Sequence, residues 1–322
     1  GGLYVPQTWP AVNAPTTGSY ADRAAAIMQP FIGTEIDAPT MVRLSREAYS
    51  SFRHPDVVPL VQIAPEHYLL ELFHGPTLAF KDVALQLIGK LFDHVLTQRN
   101  ERVMIVGATS GDTGSAAIDG VKSCNNVDIV ILYPRGRVSD VQRRQMTTVE
   151  APNVHTVSID GTFDDCQRLV KQAFLDEELR SAFDLASANS INISRLIPQS
   201  FYYFAAYAQA KKKGFNAPVV FSVPSGNFGN LSAGLMAYRM GLPVKAFVAS
   251  CNENHPVADY LRTGEYNPVA SVETLSNAMD VSAPNNWPRV EALLAQGVVS
   301  RADIEAVKVD EDDTQLGMRL LS

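Results

Sequence analysis

The chain has few cysteines, only Cys124, Cys166 and Cys251 among its 322 residues. An odd number of cysteines at wide spacing argues against a disulfide framework and suits reduced thiols in a cytoplasmic protein. No CxxC or HExxH motif occurs, and the six histidines are scattered along the chain. The sequence therefore predicts no metal site.

Long hydrophobic runs and an excess of basic charge are also missing. Apolar segments such as Val127 to Tyr133 are far shorter than the roughly 18 consecutive apolar residues that a membrane helix requires. Nothing resembles a signal peptide. The net charge of −7 argues against a nucleic-acid-binding protein, because such proteins usually present a basic face. The lysines at 211–213 precede Gly214 and indicate the end of a helix. We therefore expect no membrane or nucleic-acid partner.

The composition, 46% hydrophobic and 19% charged, is that of a globular protein long enough for two domains. Short β-rich segments alternate with helical patterns, which is typical of an α/β fold with parallel strands. The predicted strands are Val103–Val106, Asp128–Tyr133, His155–Ile159, Val219–Val223 and Lys245–Ala249, and the predicted helices are Asp82–Thr97, Asp164–Phe174 and Ser194–Lys213. The proline-rich region before about Tyr68 is expected to form a separate helical lobe.

The segment ELFHGPTLAFKD, from Glu71 to Asp82, delivers a lysine after a Gly-Pro turn. Leu78, Ala79 and Phe80 directly precede Lys81. Apolar neighbours lower the pKa of a lysine, and only a neutral amine is nucleophilic, so Lys81 is a candidate Schiff-base lysine. The alternative is an ordinary solvated lysine that opens a helix, and the local pattern alone favours this alternative.

Two glycine-rich segments each stand where a predicted strand gives way to a helix. They are GATSGDTG, from Gly107 to Gly114, and PSGNFGN, from Pro224 to Asn230. Unpaired backbone N–H groups at a helix N-terminus form an anion site, and glycines let the anion approach closely. Further donors are the hydroxyls of Thr109, Ser110, Thr113 and Ser225. We expect both segments to bind phosphate or carboxylate groups.

In this order, these segments resemble the threonine synthase family, whose members are pyridoxal-phosphate enzymes of the tryptophan-synthase-like fold type II. The resemblance continues in VILYPRG (130–136), SANSINISRL (187–196) and LSNAMDVSAPNNWPR (275–289) and covers most of the chain. It implies an α/β fold with two open, twisted, mostly parallel sheets flanked by helices, and an N-terminal, mostly helical lobe.

The resemblance implies three domains. Residues 1–67 are expected to form the N-terminal lobe, residues 68–101 with 186–322 a larger pyridoxal-phosphate-binding α/β domain, and residues 102–185 a smaller α/β domain. The last pattern, DDTQLGMRLLS from Asp312 to Ser322, is helical and has no cap. In the family, the segment that closes the ring-nitrogen side of the cofactor lies further toward the C-terminus. We therefore expect either a fragment or an incomplete cofactor site.

The resemblance also assigns roles to individual residues. Lys81 corresponds to the lysine that forms the Schiff base with pyridoxal phosphate and then moves protons at the α and β carbons of the substrate. The other expected cofactor contacts are Phe80, Asp112 and, in the cup for the cofactor phosphate, Ser225, Gly226, Asn227, Phe228, Gly229 and Asn230. The expected substrate contacts are Thr109, Ser110, Gly111 and Thr113 for the carboxylate, and Asn189, Ser190, Asn192 and Arg195 for the substrate phosphate.

Three of these roles have alternatives or conditions. Relatives of the fold type often place Asn at the position of Asp112, and an aspartate beside the phenolic oxygen of the cofactor requires a proton on one of the two groups. Around Arg195, the alternative is a helix cap formed by Ser190 or Ser194, followed by an ordinary surface arginine. The glycine cup at 225–230 can also be a turn that serves packing alone.

The implied reaction converts O-phospho-L-homoserine and water into L-threonine and phosphate, the last step of threonine biosynthesis. A pyridoxal-phosphate dehydratase, a phospho-lyase or a non-catalytic relative of the same fold type is the alternative. A remote alternative is a short-chain dehydrogenase, because Tyr207 and Lys211 have its Tyr-x-x-x-Lys spacing. The loop at 107–114, however, has the wrong glycine spacing and position for that class. We expect a monomer or weak homodimer acting on a small-molecule substrate.

Overall fold

The computed structural model describes residues 3–12, 17–297, 304–310 and 312–315. The chain divides into two compact units, residues 14–209 and residues 1–13 together with 210–322. The three-part domain division expected from the sequence stays a prediction. Of the predicted C-terminal helical segment, residues 312–315 are helical, and 316–322 lie outside the described residues.

Among the described residues, no helix is both long and apolar enough to cross a membrane.

The larger unit begins with two helices, α1 (Tyr20–Ile32) and α2 (Ala38–Tyr49). Ser19 caps α1 in a reciprocal capping box with Asp22, and Asp37 caps α2 through the backbone N–H of Thr40. An antiparallel hairpin follows, formed by β1 (Leu60–Ala64) and β2 (His67–Leu70). The helical character of the N-terminal region is confirmed, whereas its separation as a lobe stays a prediction. The hairpin was not predicted, because only the first side chain of β1 is buried and no alternating pattern marks it.

A four-stranded parallel sheet forms the centre of the larger unit. The strands of this sheet and the helices between and after them are, in chain order, α3 (Asp82–Arg99), β3 (Val103–Ala108), α4 (Asp112–Val121), β4 (Val127–Pro134), α5 (Asp140–Thr147), β5 (Val154–Ile159), α6 (Phe163–Leu175), α7 (Glu177–Ala182), β6 (Leu185–Ala186) and α8 (Ile197–Lys212). The strand order is β5-β4-β3-β6. Every neighbouring pair is parallel, with Ile129 of β4 opposite both Ile105 of β3 and Val154 of β5.

Both faces of this sheet are covered. On β3, Ile105 belongs to the core cluster that includes residues of α3 and α4, whereas Val106 belongs to a second cluster with Cys166 and Val170 of α6. A strand that is buried on both faces reads as a continuous apolar run, as the sequence of β3 does. Each fully buried aliphatic side chain stabilises the folded state by about 1.5–3 kcal/mol.

Helices α3 and α4 approach each other through glycines. A Cβ on Gly120 would lie 2.5 Å from the carbonyl oxygen of Leu85, and a Cβ on Gly89 would overlap the carbonyl oxygen of Gly120. Only glycine permits backbones to come this close.

The smaller unit holds a three-stranded parallel sheet in the order β7-β8-β9. Its elements are β7 (Val219–Pro224), α9 (Gly229–Arg239), β8 (Val244–Cys251), α10 (Pro256–Thr263), α11 (Trp287–Ala295) and β9 (Ile304–Lys308). The two parallel sheets with flanking helices confirm the predicted fold class. The predicted strands and helices are present, except that α8 begins after a 3-10 turn at Ile193–Arg195 rather than at Ser194.

A long coil in the smaller unit is held by one carboxylate. Asp280 Oδ1 accepts hydrogen bonds from the side-chain amides of Asn252 and Asn254, at 2.8 and 3.1 Å, and from the hydroxyl of Thr274 at 2.7 Å. Asp280 Oδ2 accepts from the backbone N–H of Thr274 at 3.0 Å. These bonds fasten the coil to the end of β8 and fix the backbone of the preceding residue, Met279.

Candidate active site

A tight turn precedes Lys81. The carboxylate of Asp82 accepts hydrogen bonds from the backbone N–H of Thr77 at 2.8 Å and from its hydroxyl at 2.7 Å. Gly75 leaves the room for this carboxylate, since a Cβ there would overlap it. Leu78 takes a left-handed conformation with φ 66°. Asp82 is fully buried, and burial raises its pKa to about 6 even though the bonds from Thr77 oppose that rise. The turn therefore fixes the backbone on both sides of Lys81.

Lys81 lies directly before α3, and its ammonium faces a carboxylate. Lys81 Nζ is 3.1 Å from Asp112 Oδ2, and the Lys81 side chain is only 15% exposed. Burial lowers the pKa of Lys81, and the charge of Arg195 adds to this effect, while Asp112 and Asp82 oppose it. Nζ also lies 5.3 Å from the centroid of the Phe80 ring. Lys81 is therefore not an ordinary solvated lysine, and its lowered pKa makes the neutral, nucleophilic form more accessible than in a solvated lysine.

Asp112 is the first residue of α4, and it contacts a second helix as well as Lys81. The side-chain amide of Gln142, on α5, donates to Asp112 Oδ1. Burial on its own would raise the pKa of Asp112. The positive charge and hydrogen bond of Lys81 together with the hydrogen bond from Gln142 outweigh burial and hold this pKa below its ordinary value. Asp112 is therefore an ionised carboxylate, as the start of a helix also favours. Its contact with the phenolic oxygen of the cofactor stays a prediction.

Thr109 shapes the loop that joins β3 to α4. Its buried hydroxyl accepts hydrogen bonds from the backbone N–H groups of Gly111 and Gly114, both at 2.9 Å. Gly111 has φ 152°, a conformation that residues with a side chain rarely adopt. The Thr109 hydroxyl is thus engaged inside the loop, whereas Ser110 is exposed and Thr113 is half-buried. The role of Thr109, Ser110, Gly111 and Thr113 in binding the substrate carboxylate stays a prediction.

Arg195 is buried without a carboxylate. It is 3% exposed, and its Nη1 donates to the carbonyl oxygen of Ala188 at 2.6 Å. Within the described part of the chain, Arg195 Nε has no hydrogen-bond acceptor and no carboxylate forms an ion pair with the guanidinium. Burial lowers the pKa of Arg195 to about 10. A buried, unpaired charge is costly, so an anionic ligand at this position would stabilise the site.

The cap next to Arg195 is not the predicted one. Asn192 Oδ1 accepts from the backbone N–H of Ser194 at 3.1 Å and from its hydroxyl at 2.8 Å, which caps the 3-10 turn. The alternative with Ser190 or Ser194 as the cap and a surface arginine is wrong on both points, because Asn192 is the cap and Arg195 is buried. Phosphate binding by Asn189, Ser190, Asn192 and Arg195 stays a prediction.

In the smaller unit, the glycine cup lies between β7 and α9. Phe228, with φ 58°, is the N-cap residue of α9, and its ring packs edge-on against Trp287 at 5.6 Å. A Cβ on Gly226 would lie 2.6 Å from Met279 Cα, so a side chain cannot fit there. Within the described residues, the amides of Gly226, Phe228 and Gly229 donate to no backbone carbonyl. Amides without a backbone acceptor at the start of an 11-residue helix fit a phosphate group.

The remaining cup residues support the loop. The backbone N–H of Ser225 donates to the carbonyl oxygen of Ser250 at 2.8 Å, and its hydroxyl donates to that of Val223 at 2.8 Å. Asn227 Oδ1 accepts from the backbone N–H of Asn285 at 2.6 Å, and Asn230 Nδ2 donates to the carbonyl oxygen of Pro224 at 2.7 Å. The side chains of Ser225, Asn227 and Asn230 therefore hold the loop in shape, and their cofactor contacts stay predictions.

Gln142 was missed in the sequence. A signal for it exists, because Ser139-Asp140-Val141-Gln142 has the spacing of a capping box, and the hydroxyl of Ser139 does accept from the backbone N–H of Gln142. The capping pattern predicts the start of α5, but no pattern predicts the contact of Gln142 with Asp112, which is 30 residues away.

A buried lysine at the start of a helix and a glycine cup at the end of a parallel strand are features of the pyridoxal-phosphate enzymes. The model of the pyridoxal-phosphate dependent enzyme family matches residues 57–322, and the model described as threonine synthase N terminus matches residues 1–49. The chain is 47% identical to a threonine synthase of Escherichia coli (strain K12) over 302 residues, which are 94% of this chain and 68% of the relative. It belongs to the threonine synthase family.

Two further relatives support this assignment. A threonine synthase of Pseudomonas aeruginosa is 45% identical over 298 residues, which are 90% of this chain and 62% of that protein. The solved structure of pyridoxal-phosphate-bound threonine synthase from Brucella melitensis superposes with a TM-score of 0.89 at 44% identity, covering 98% of this chain and 74% of that one. The chain thus spans less than two thirds of the Pseudomonas relative. Family membership excludes the short-chain dehydrogenase alternative.

Proposed function

We propose that the protein converts O-phospho-L-homoserine and water into L-threonine and phosphate. The observation that carries this proposal is Arg195, a buried guanidinium whose charge acts on Lys81 and whose Nε has no acceptor among the described residues. The glycine cup at 225–230 is a second, separate anion site. A reaction with a phosphorylated substrate and a phosphorylated cofactor needs two such sites, whereas a dehydratase of unphosphorylated amino acids needs one.

The residues present fit pyridoxal phosphate. Lys81 would bind its aldehyde, since burial favours the neutral amine. The amides of the 225–230 cup would bind its phosphate, because they stand at the N-terminus of α9. When bound, this cofactor supplies an electron sink that stabilises the charge left on the substrate when protons are removed.

The protein itself supplies the groups that transfer protons and bind the substrate. Lys81 takes protons from the α and β carbons and, after phosphate has left, returns one proton to the γ carbon and one to the α carbon, and burial, which lowers its pKa, suits it to this exchange. Arg195 binds the substrate phosphate through its planar fork and stabilises the negative charge as phosphate leaves the γ carbon. The N-terminus of α4, with the loop at 109–113, orients the substrate carboxylate. Water then adds at the β carbon.

Product analysis tests the proposal. The protein is supplied with pyridoxal phosphate and O-phosphohomoserine, and phosphate, threonine and 2-oxo acids are quantified. Equal amounts of threonine and phosphate, absent with the Lys81→Ala variant, are expected. Phosphate accompanied by an unsaturated amino acid or a 2-oxo acid would instead indicate a phospho-lyase, and turnover by the variant would contradict the role of Lys81.

The same proposal includes a cytoplasmic location and a monomer or weak homodimer. The three cysteines are buried and free, which agrees with a reducing compartment. Light scattering during size-exclusion chromatography at two protein concentrations measures the oligomeric state, and a stable, concentration-independent oligomer would contradict this part.

A further inference from the structure

One face of α5 contacts both chain segments that present Lys81 and Asp112. Gln142 Nε2 donates to Asp112 Oδ1, and Gln145 Nε2 donates to the carbonyl oxygen of Thr77 at 3.2 Å, in the turn before Lys81. Residues three apart on a helix lie on the same face. The buried Met146 on this helix lies against Gly114, where a Cβ would be 2.6 Å from Met146 Sδ. Helix α5 therefore supports the lysine turn and the Asp112 loop together.

The amide of Gln142 has a defined orientation. The hydroxyl of Ser139 donates to Gln142 Oε1 at 2.9 Å, which leaves Nε2 for Asp112. Ser139 also accepts from the backbone N–H of Gln142 at 3.3 Å. On the other side, the missing side chain of Gly111 leaves space for the amide, since a Cβ there would overlap it. Ser139 thus orients the amide of Gln142 toward the Asp112 carboxylate, and Gly111 leaves the space that the amide occupies.

We propose that Gln142 is a positioning residue of the reaction, which holds the ionised Asp112 carboxylate against Lys81 and so sets how readily the Lys81 ammonium gives up its proton. This inference rests on the proposed function only in taking Lys81 as the reactive lysine. Neither the sequence motifs nor the family resemblance assigned a role to Gln142 or to α5.

The charges around Lys81 explain why one amide matters. Asp112 and Asp82 favour the charged form of Lys81, while burial and Arg195 oppose it. The Asp82 carboxylate is fixed by Thr77, and Arg195 is fixed by Ala188. The Asp112 side chain is 27% exposed, so without Gln142 it can turn toward water. Asp82 and Arg195 are each held by a bond to a backbone group, whereas the bond from α5 that holds Asp112 comes from a replaceable side chain, that of Gln142.

The test measures the protonation of Lys81 directly in the ligand-free protein. Competitive acetylation with acetic anhydride, followed by mass spectrometry of the Lys81 peptide, gives the pH at which Lys81 is half-reactive. Gln142→Ala should lower this midpoint by about one unit, because the opposing carboxylate is released. Gln142→Glu, a substitution that keeps the size of the side chain, should raise the midpoint by a similar amount. It places a second carboxylate beside Asp112, and both carboxylates are ionised at the pH where lysine titrates.

Because the two substitutions should shift the Lys81 midpoint in opposite directions, the result distinguishes positioning of Asp112 from general support of the fold. Val141→Ala, at an exposed position of the same helix, is the matched control and should leave the midpoint unchanged. Equal midpoints in the wild type and both Gln142 variants, or shifts of both in the same direction, would overturn the proposal. If Gln142→Ala does not fold by circular dichroism, Gln142→Met, which is of similar size and cannot donate to Asp112, replaces it, and the same lowered midpoint is expected. The readout needs neither cofactor nor substrate, so failed turnover would not be mistaken for failure here.

Discussion

The carbonyl oxygen of Gly120 occupies the space where a side chain on Gly89 would begin. Gly89 belongs to α3, which starts next to Lys81, and Gly120 belongs to α4, which starts at Asp112. A helix is a stiff element, so close contact between the two fixes the spacing of their first turns. The 3.1 Å distance from Lys81 Nζ to Asp112 Oδ2 therefore depends on glycines outside the site.

Replacing Gly89 by alanine should destabilise the protein. Overpacking costs about 1–3 kcal/mol and opposes the gain of about 1 kcal/mol in helix propensity. Because this contact is backbone to backbone, we expect a net loss, measured as a lower urea midpoint. Gln98→Ala, at an exposed position of the same helix, is the control and should change little. Equal stability of Gly89→Ala and wild type would contradict the close contact.

The buried Asp82 should make stability depend on pH. Its pKa is about 6 in the folded protein, above the unfolded value of 3.8. The carboxyl group of Asp82 therefore stays protonated to a higher pH in the folded state than in the unfolded state. The stability that this difference contributes is fully present below about pH 4 and is lost as the pH rises through 6. Against Asp82→Asn, the wild type should lose about 3 kcal/mol over this interval. Urea unfolding at several pH values measures the difference, and a constant difference would refute the assignment.

Arg195→Ala should affect the phosphorylated substrate selectively. Loss of charge-assisted hydrogen bonds costs about 1.5–3 kcal/mol, so kcat/KM for O-phosphohomoserine should fall roughly 10- to 100-fold or more. The absorbance change on adding pyridoxal phosphate should remain, since Lys81 is intact. Arg180→Ala, at an exposed arginine, serves as the control. An unchanged response to substrate would remove Arg195 from the phosphate site.

Gly226→Ala should weaken binding of pyridoxal phosphate. The added methyl group would meet Met279 Cα at 2.6 Å, and the coil that carries Met279 is fastened through Asp280, so the loop must move instead. Displaced amides lose hydrogen bonds to an anion, and we expect at least a tenfold weaker affinity, or about 1.4 kcal/mol. A fluorescence titration measures it, with Val220→Ala on β7 as the control. Wild-type affinity would show that the cup does not bind the cofactor.

Local patterns predicted most of the regular structure and the chemistry of the turns. Strands β3 and β4 were predicted correctly because both faces of the sheet are covered, which makes their sequences almost entirely apolar. The hairpin β1–β2 was not, because its side chains are mostly exposed. Lys81 and the glycine cup were found from short motifs. The contact of Gln142 with Asp112 and the bonds of Asp280 join distant residues, and no local pattern encodes them.

The most direct test of Lys81 as the cofactor-binding residue is a visible absorption spectrum after addition of pyridoxal phosphate, recorded for the wild type and for Lys81→Ala. We predict an absorption band in the violet for the wild type that the variant lacks, while both have the same circular dichroism. A band of equal strength in the variant, or none in the wild type, would contradict the central claim that Lys81 binds the cofactor in this chain.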